Sequence, residues 1–251
     1  MNAEALVVEG LRKRYGDVEV LAGVDTALRR AEITAFVGPN GAGKSTLFQA
    51  ITGEFRADVG RIVYEGSDLG GCAPWHVAQR GIGKMFQDVR VFPALSVRDN
   101  VVAALQRPRD RRFMLSLWQG ARRVVAAWTQ ADRLLDRVGV EGLRDRPAAE
   151  LSWGNQKLLA FARLLAGDFR VVLLDEPTAG VSPLLRERMR ALIRQLVDAE
   201  GMTVALIEHD IAFVRQLAHR VVVLNQGRVF DAGDAHDVLR RPANLELCLG
   251  L

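Results

Sequence analysis

Residues 38–45 read Gly38-Pro39-Asn40-Gly41-Ala42-Gly43-Lys44-Ser45. This stretch fits the pattern G-x-x-x-x-G-K-[ST] at every fixed position. Glycines let a backbone curl so that successive N–H groups point inward at phosphate oxygens, and the positive end of a following helix adds to that field. Lys44 supplies a mobile charge for the β- and γ-phosphates, and the Ser45 hydroxyl is a ligand for Mg²⁺. The stretch therefore predicts a phosphate-binding loop.

The residues around this loop are typical of a strand–loop–helix unit. Residues 33–37 form a short apolar run of β-formers, and residues 46–52 place Leu47, Ala50 and Ile51 at helical spacing. A glycine-rich turn matches the same pattern by accident in roughly one chain in a hundred of this length. The flanking strand and helix favour nucleotide binding over such an accident.

Apolar strands and helices alternate along most of the chain. Strands are predicted at residues 5–8, 18–21, 33–37, 61–64, 171–174, 203–207, 221–224 and 228–231. Helices are predicted at residues 46–52, within 96–138, and at 152–166 and 183–199. This alternation predicts an α/β fold with a mostly parallel sheet covered on both faces.

Composition excludes several classes of protein. The chain has 251 residues, 49% of them hydrophobic, and its apolar runs are strand-sized, too short to cross a bilayer. The first ten residues lack the pattern of a secretory signal, so we expect a cytoplasmic protein.

Cys72 and Cys248 are too few for a disulfide framework and are predicted to be free thiols. The arginine-rich residues 107–112 are interpreted as a solvated linker, with nucleic-acid binding as the less favoured alternative.

Two carboxylates directly follow the apolar run 171–174. Asp175 and Glu176 would lie at the carboxyl edge of a parallel sheet, where ligands bind in open α/β folds. Asp175 is then placed to hold Mg²⁺, and Glu176 to polarise a water for attack on the γ-phosphate. The alternative is an acidic pair that caps a strand at the turn at Pro177, which the phosphate-binding loop upstream makes less favourable.

Two further polar residues follow predicted strands. His209 comes just after residues 203–207 and is interpreted as a γ-phosphate sensor, although a lone histidine is usually structural or merely exposed. Gln87, in Met85-Phe86-Gln87-Asp88, is a weak signal because a glutamine there could be any surface amide.

The stretch Leu151-Ser152-Trp153-Gly154-Asn155-Gln156 lies shortly before the acidic pair. It is similar to the signature loop, usually written LSGGQ, of the ATP-binding subunits of ABC transporters. Together with the other motifs in this order, it makes nearly the whole chain resemble that family. The resemblance implies a P-loop NTPase (RecA-like) core with an antiparallel β subdomain and an α-helical subdomain. It further implies a single ATPase domain, with the core and its antiparallel β lobe at about residues 1–87 and 156–251. The helical subdomain, which carries the signature loop at its end, is implied at about 88–155.

The resemblance also implies roles at single positions. Tyr15 matches the aromatic residue that stacks on adenine, and Gln87 matches the glutamine that reaches Mg²⁺. Ser152 and Gly154 match positions that contact ATP bound to the opposite subunit. The implied catalytic residues are Glu176, His209 and Lys44, and the implied Mg²⁺ ligands are Ser45, Gln87 and Asp175. The implied ATP contacts are Tyr15, Gly38, Pro39, Asn40, Gly41, Ala42, Gly43, Lys44, Ser45, Thr46, Gln87, Ser152, Gly154 and Asn155.

Three positions depart from the family pattern. Trp153 stands where the signature usually has its first glycine, and Asn155 where it has glutamine. Ser182 stands where many relatives have aspartate in the loop after Pro177. None of these departures removes a group that we assign to chemistry, but the contact across the two subunits near Ser182 is left open.

Within the family, the nearest likeness is to ATPases that import branched-chain amino acids or related amides. It is carried by residues 81–105, by the extra segment 107–128 and by residues 206–251. The implied partners are integral membrane permease subunits, a second ATP-binding subunit (identical or different, head to tail) and, indirectly, a periplasmic or extracellular solute-binding protein. The implied location is the inner face of the plasma membrane, and no nucleic acid is expected. The apolar residues 91–95 are either core or a groove for a short helix of the membrane subunit.

Other functions remain as alternatives. A lipopolysaccharide-export ATPase is similar in many of the same places. A soluble ABC ATPase of DNA repair would need long coiled-coil arms, and one of translation would carry two ATPase halves in one chain. A P-loop kinase or GTPase would leave the signature loop unexplained, and the guanine-reading N-K-x-D motif of GTPases is absent from the sequence.

Overall fold

The computed structural model of the protein describes residues 4–106 and 120–249. Packing groups these residues into two compact units. Residues 4–84, 169–177 and 190–249 form the first unit, and residues 85–106, 120–168 and 178–189 form the second. The division near residues 88 and 155 that the family resemblance implies remains a prediction.

The centre of the first unit is a six-stranded sheet with parallel strands at its middle. Its strands are β3 (Ile33–Val37), β6 (Ile82–Met85), β7 (Val171–Asp175), β8 (Thr203–Ile207), β9 (Arg220–Asn225) and β10 (Arg228–Asp234). The order is β10-β9-β3-β8-β7-β6, with parallel pairing of β9, β3, β8 and β7. Every residue of β3, β7 and β8 is buried, which explains their continuous apolar sequences. The predicted α/β fold is confirmed.

A second sheet of the first unit is four-stranded and antiparallel, in the order β2-β1-β4-β5. Its strands are β1 (Glu4–Tyr15), β2 (Val18–Arg29), β4 (Val59–Tyr64) and β5 (Ser67–Asp68). The first two strands are much longer than predicted. Register shifts between Val8 and Leu11, with Gly10 at φ 54°, break the alternation on which the prediction relied.

Helices of the first unit pack on these sheets. They are α1 (Lys44–Ile51), α2 (Pro74–Gln79), α7 (Ile211–Leu217), α8 (Ala235–Val238) and α9 (Pro242–Leu249). One buried apolar cluster joins α1 to both sheets through side chains such as Phe36 and Phe48, whose rings meet edge to face at 5.6 Å. A second cluster packs α7 and α8 on β3 and β9. Cys72 and Cys248 are both free and half-buried, as predicted.

The second unit is helical. It contains α3 (Val97–Leu105), α4 (Gly120–Val138) and α5 (Trp153–Leu165), and α6 (Pro183–Asp198) begins in it. The predicted apolar face of α4 is buried at Leu135 and Val138, but Val125 and Trp128 are 61% and 44% exposed. The arginine-rich residues 107–112 and most of the extra segment 107–128 lie outside the described residues. Within the described ranges, no helix combines the length and hydropathy needed to cross a membrane.

Candidate nucleotide-binding site

The functional residues predicted for the first unit meet at one edge of the parallel sheet. Phe36 pairs with Ile207, and Ile207 pairs with Asp175, so β3, β8 and β7 end side by side. The chain continues from these ends into the glycine-rich loop 38–45, into Glu208 and His209, and into Glu176. Because parallel strands deliver their carboxyl ends to the same edge, residues far apart in sequence converge there.

The glycine-rich loop needs glycine at its close backbone contacts. Gly38 has φ 135°, and a Cβ added there would lie 2.0 Å from Leu224 O. Gly43 has φ 99°, and its added Cβ would lie 2.7 Å from Val20 O. Both positions therefore exclude side chains for conformational and steric reasons. The loop is pressed against strands β2 and β9, which fixes the curl of its backbone before any ligand arrives.

Lys44 starts α1 and is only 6% exposed. Its Nζ donates hydrogen bonds to Gly38 O at 2.8 Å and to Pro39 O at 2.9 Å, so the side chain folds back over the loop. Burial lowers the pKa of this ammonium, while the nearby charges of Glu176 and Asp175 oppose that shift. The result is a cation held at the mouth of the loop by two carbonyl groups, which an anionic phosphate can replace.

Asp175 is a buried carboxylate that suits a divalent cation. It is 5% exposed, and burial is the main cause that raises its pKa. The Ser45 hydroxyl hydrogen-bonds this carboxylate. Its Oδ1 is buried and has no hydrogen-bond partner among the described residues. A buried oxygen left without a partner is costly unless a ligand satisfies it, and carboxylate and hydroxyl oxygens are ligands that Mg²⁺ prefers. The residues present therefore fit the predicted metal.

Glu176 and His209 form a contact at the same edge. His209 Nε2 lies 3.0 Å from Glu176 Oε1, with the glutamate side chain 19% exposed and the histidine 42% exposed. Glu176 has φ 48°, a left-handed conformation that non-glycine residues rarely adopt, and its N–H donates to Ile207 O at 3.0 Å. Strain of this kind is concentrated at functional sites. The turn directs Glu176 towards the histidine that follows the neighbouring strand.

Tyr15 lies at the end of the β1–β2 hairpin and is 50% exposed. It pairs with Val18, two residues before Val20, whose carbonyl oxygen lies against Gly43. Its ring meets that of Phe55 edge to face at 6.0 Å. The hairpin end thus offers a half-exposed aromatic ring beside the phosphate-binding loop.

The second unit contains the signature residues. Ser152 is the N-cap of α5, and its hydroxyl accepts from Asn155 N at 3.4 Å. Trp153, the residue that replaces glycine in the family pattern, is 47% exposed. A cavity of about 690 Å³ is lined by Ser152, Gly154, Asn155, Leu158, Gly180, Val181, Ser182, Leu184, Leu185, Glu187 and Arg188. The structure thus joins the signature loop to the loop that contains Ser182.

The predicted residues fall into two groups. Lys44, Ser45, Asp175, Glu176 and His209 converge in the first unit. Gln87, Ser152, Gly154 and Asn155 belong to the second unit, and Gln87 is an exposed residue two positions after β6.

Lys84, in β6, was not among the residues predicted for the site. Its Nζ lies 2.7 Å from Glu54 Oε1, and its charge acts to lower the pKa of Asp175. The signal available was the rarity of lysine, since the chain has only four.

The comparisons with known proteins agree on one family. A profile described as ABC transporter matches residues 21–179. Over 240 residues, the chain is 38% identical to the sulfate/thiosulfate import ATP-binding protein CysA of Mycobacterium tuberculosis. This match covers 96% of the chain but 64% of CysA, so the chain spans slightly less than two thirds of that relative.

Two other similarities extend over full length. The chain is 31% identical to the high-affinity branched-chain amino acid transport ATP-binding protein BraF of Pseudomonas aeruginosa, over 100% of the chain and 99% of BraF. It also superposes on the ADP conformation of MJ1267, an ATP-binding cassette of an ABC transporter, with a TM-score of 0.84 and 29% identity, over 99% and 100% of the two chains.

Proposed function

The chain belongs to the ABC transporter family of ATP-binding cassettes, and from this premise we propose that it binds and hydrolyses ATP to drive transport by separate membrane permease subunits. The observation that carries the proposal is the meeting of the phosphate-binding loop, Asp175 and the Glu176–His209 contact at one sheet edge. Each is a group that phosphoryl transfer to water requires.

In this proposal, the phosphates bind the loop amides, and Lys44 exchanges its two carbonyl partners for phosphate oxygens. Ser45 and Asp175, with Gln87, would hold Mg²⁺, and the partnerless Oδ1 of Asp175 supports that assignment. When bound, the ion would supply positive charge that offsets the negative charge of the phosphates. Tyr15 would stack on the adenine ring.

Glu176 is proposed to accept a proton from the water that attacks the γ-phosphate. His209, 3.0 Å away, would orient this carboxylate and respond to the γ-phosphate. The left-handed backbone at Glu176 supports the assignment, because it accompanies the contact of this side chain with His209 at the sheet edge.

The site is proposed to be completed by a second ATP-binding subunit. The start of α5 at Ser152 and Gly154 would face the γ-phosphate bound to the opposite chain, where the helix N-terminus attracts negative charge. ATP would then hold two subunits together head to tail, and hydrolysis would release them. This cycle of closing and opening would drive conformational changes of the attached membrane protein at the inner face of the membrane.

The apolar residues 91–95 are proposed to bind a short helix of the permease. Phe92 and Leu95 are 48% and 40% exposed, so most of this segment does not pack in a core. Asn100 is fully buried and fixes the loop, since its side chain accepts from Phe92 N at 2.8 Å and donates to Phe92 O at 2.9 Å. A rigid loop with exposed apolar tips is what a docking surface requires.

For the transported solute, we propose a branched-chain amino acid or a related small amide. The full-length similarity to BraF supports this choice. Import of an oxyanion such as sulfate is the second candidate, favoured by the higher identity to CysA over a partial match of that relative. Uptake of labelled leucine and of labelled sulfate, measured in cells with and without the chain, separates the two.

The central proposal is tested by ATP turnover of the purified chain with its co-expressed permeases in membrane vesicles. We expect phosphate release that requires Mg²⁺ and that falls when Phe92→Asp and Leu95→Asp are introduced together. Turnover that proceeds unchanged in a metal chelator, or no turnover with folded protein and permeases present, would contradict the proposal.

A further inference from the structure

The side chain of Lys13 makes an ion pair, a hydrogen bond and contacts with aromatic rings instead of projecting into solvent. Its Nζ lies 2.8 Å from Asp58 Oδ1 and 3.1 Å from Arg56 O, and the side chain is 16% exposed. Lys13 precedes Tyr15 by two positions in β1, with an irregularity of the strand pairing between Lys13 and Arg14. The ammonium lies 5.5 Å from the centroid of the Tyr15 ring.

The same ammonium also contacts the second aromatic ring of the hairpin end. Its Nζ lies 5.3 Å from the centroid of Phe55, whose ring meets Tyr15 edge to face at an interplanar angle of 77°. Cations within about 6 Å of a ring centroid are attracted by the ring. Lys13, Phe55 and Tyr15 therefore form one cluster, in which the position of each restrains the others.

Asp58 fastens this cluster to the end of β1. Its Oδ2 accepts from Arg14 N at 2.8 Å, and its N–H donates to Arg12 O at 2.9 Å. The hydrogen bond from Lys13, and after it the one from Arg14 N, lowers the pKa of Asp58. The segment that contains Phe55 and Asp58 follows α1, so the helix that begins in the phosphate-binding loop also positions the hairpin end.

The cluster lies where the nucleoside part of a bound nucleotide would extend. Val20 O is adjacent to Gly43, and Val18 pairs with Tyr15, so Tyr15 is about 7 Å along the strand from the loop. Val18, at 63% exposure, adds an apolar neighbour on the same turn.

We infer that Lys13 and Asp58 are positioning residues that hold the Tyr15 ring ready to stack on the base of the nucleotide, an inference that rests on the proposed function. A half-exposed ring at a hairpin end would otherwise lose rotational freedom only on binding, which weakens affinity. The Asp58 side chain is 43% exposed, and ion pairs open to solvent add little to folding stability, so we assign the effect of the pair mainly to affinity for the base. The Lys13–Asp58 pair leaves the affinity for the phosphates unchanged.

The test compares two ligands that share the phosphates but differ in the base. ATP and inorganic tripolyphosphate are titrated into the full chain and into Lys13→Ala, Asp58→Asn and Lys13→Arg variants. We expect Lys13→Ala and Asp58→Asn to weaken ATP about three- to tenfold and to leave tripolyphosphate unchanged. Lys13→Arg, which keeps the cation, should retain most of the ATP affinity. Arg61→Ala, which breaks an exposed ion pair with Glu9 in the same sheet, is the control and should change neither ligand.

Equal losses for ATP and tripolyphosphate, or no loss for ATP, would overturn the inference. In a Tyr15→Ala background, Lys13→Ala should have no further effect, and an additive loss would overturn it as well. Failure of the unmodified chain to bind either ligand would instead remove the proposed function. The two failures are therefore distinguishable.

Discussion

The phosphate-binding loop and the signature helix start are both helix N-termini, but the structure prepares them differently. At the loop, Lys44 is buried and donates hydrogen bonds to two carbonyl groups within 2.9 Å. Gly38 and Gly43 pack closely against the backbone of neighbouring strands. At the start of α5, the Ser152 cap is long at 3.4 Å, and Ser152 and Trp153 are exposed. The phosphate-binding loop is thus complete within one unit, whereas the start of α5 is open to solvent.

We therefore expect the two regions to serve different parts of the proposed cycle. A preformed cradle binds a ligand without reorganisation, so it should set the affinity of one chain for ATP. An exposed helix end contributes only when another charged group approaches it, so it should act on turnover and on association of two chains. Variants that separate affinity from turnover therefore test the comparison.

The largest effect is expected at Glu176, which lies in the same unit as the phosphate-binding loop but acts on chemistry. Glu176→Gln removes the proton acceptor but keeps an oxygen near His209, so ATP should still bind. Hydrolysis should slow on the order of 10²–10⁴-fold, and an ATP-dependent dimer should accumulate in size-exclusion chromatography. Glu246→Gln, on exposed surface of α9, is the matched control. Undiminished turnover of Glu176→Gln would remove this residue from its role.

Lys44→Ala should produce the next largest effect, on affinity. It removes a charge-assisted bond to the phosphates, so the Kd for Mg-ATP measured by calorimetry should rise about 10- to 100-fold. Because this ammonium is buried against carbonyl groups, the thermal unfolding curve serves as the check that the variant is folded. A folded variant with unchanged ATP affinity would show that the loop is not the phosphate site.

Ser152 tests the second region. Ser152→Ala should lower stability by about 1 kcal/mol through loss of the cap, whereas Ser152→Asp keeps a capping oxygen. The aspartate places a negative charge where a phosphate of the opposite subunit would approach, so turnover should fall while ATP binding to a single chain is retained. Equal turnover of Ser152→Asp and the parent chain, at saturating ATP, would contradict the assignment.

The smallest effect is on the stability of the nucleotide-free chain. Burial raises the pKa of Asp175 above its ordinary value of about 4, so the folded state holds this proton more tightly than the unfolded state. The free energy of unfolding therefore falls as pH rises from the ordinary pKa of an aspartate to the raised pKa of folded Asp175. Above that raised pKa the whole loss of stability is present. Asp175→Asn should remove it and raise Tm at neutral pH by about 2–4 °C.

The same Asp175→Asn variant should no longer show stabilisation by ATP that depends on Mg²⁺. Thermal unfolding at pH 7, with and without Mg-ATP, measures both changes. A lower Tm in the absence of ligand would mean that the charge of Asp175 stabilises the fold, contrary to this account.

Many strands and helices could be predicted because their physical causes are local. The strand at residues 203–207 coincides with β8, and the helix predicted from Ser152 begins there as α5, since a buried run and a capping serine are both readable from neighbours. The hairpin β1–β2 was underestimated because bulges interrupt its alternation. Alternation reports burial only while the register is regular.

The parts that could not be predicted depend on long-range contacts. Lys84 affects Asp175 because β6 lies beside β7, which no local pattern of residues 82–85 reveals. Helical periodicity placed Trp128 on the same face as Leu135, but how far neighbouring helices extend along that face decides burial. The left-handed conformation of Glu176 is likewise set by the hydrogen bond to Ile207, on another strand.

A calorimetric titration of Mg-ATP into the purified chain tests the proposed nucleotide site itself. We predict binding of one nucleotide per chain, weakened when Mg²⁺ is withheld, because Lys44 and the loop amides bind the phosphates while Ser45 and Asp175 are placed for the cation. The absence of any binding to folded protein, in the presence of Mg²⁺ and of its permease partners, would contradict the central claim.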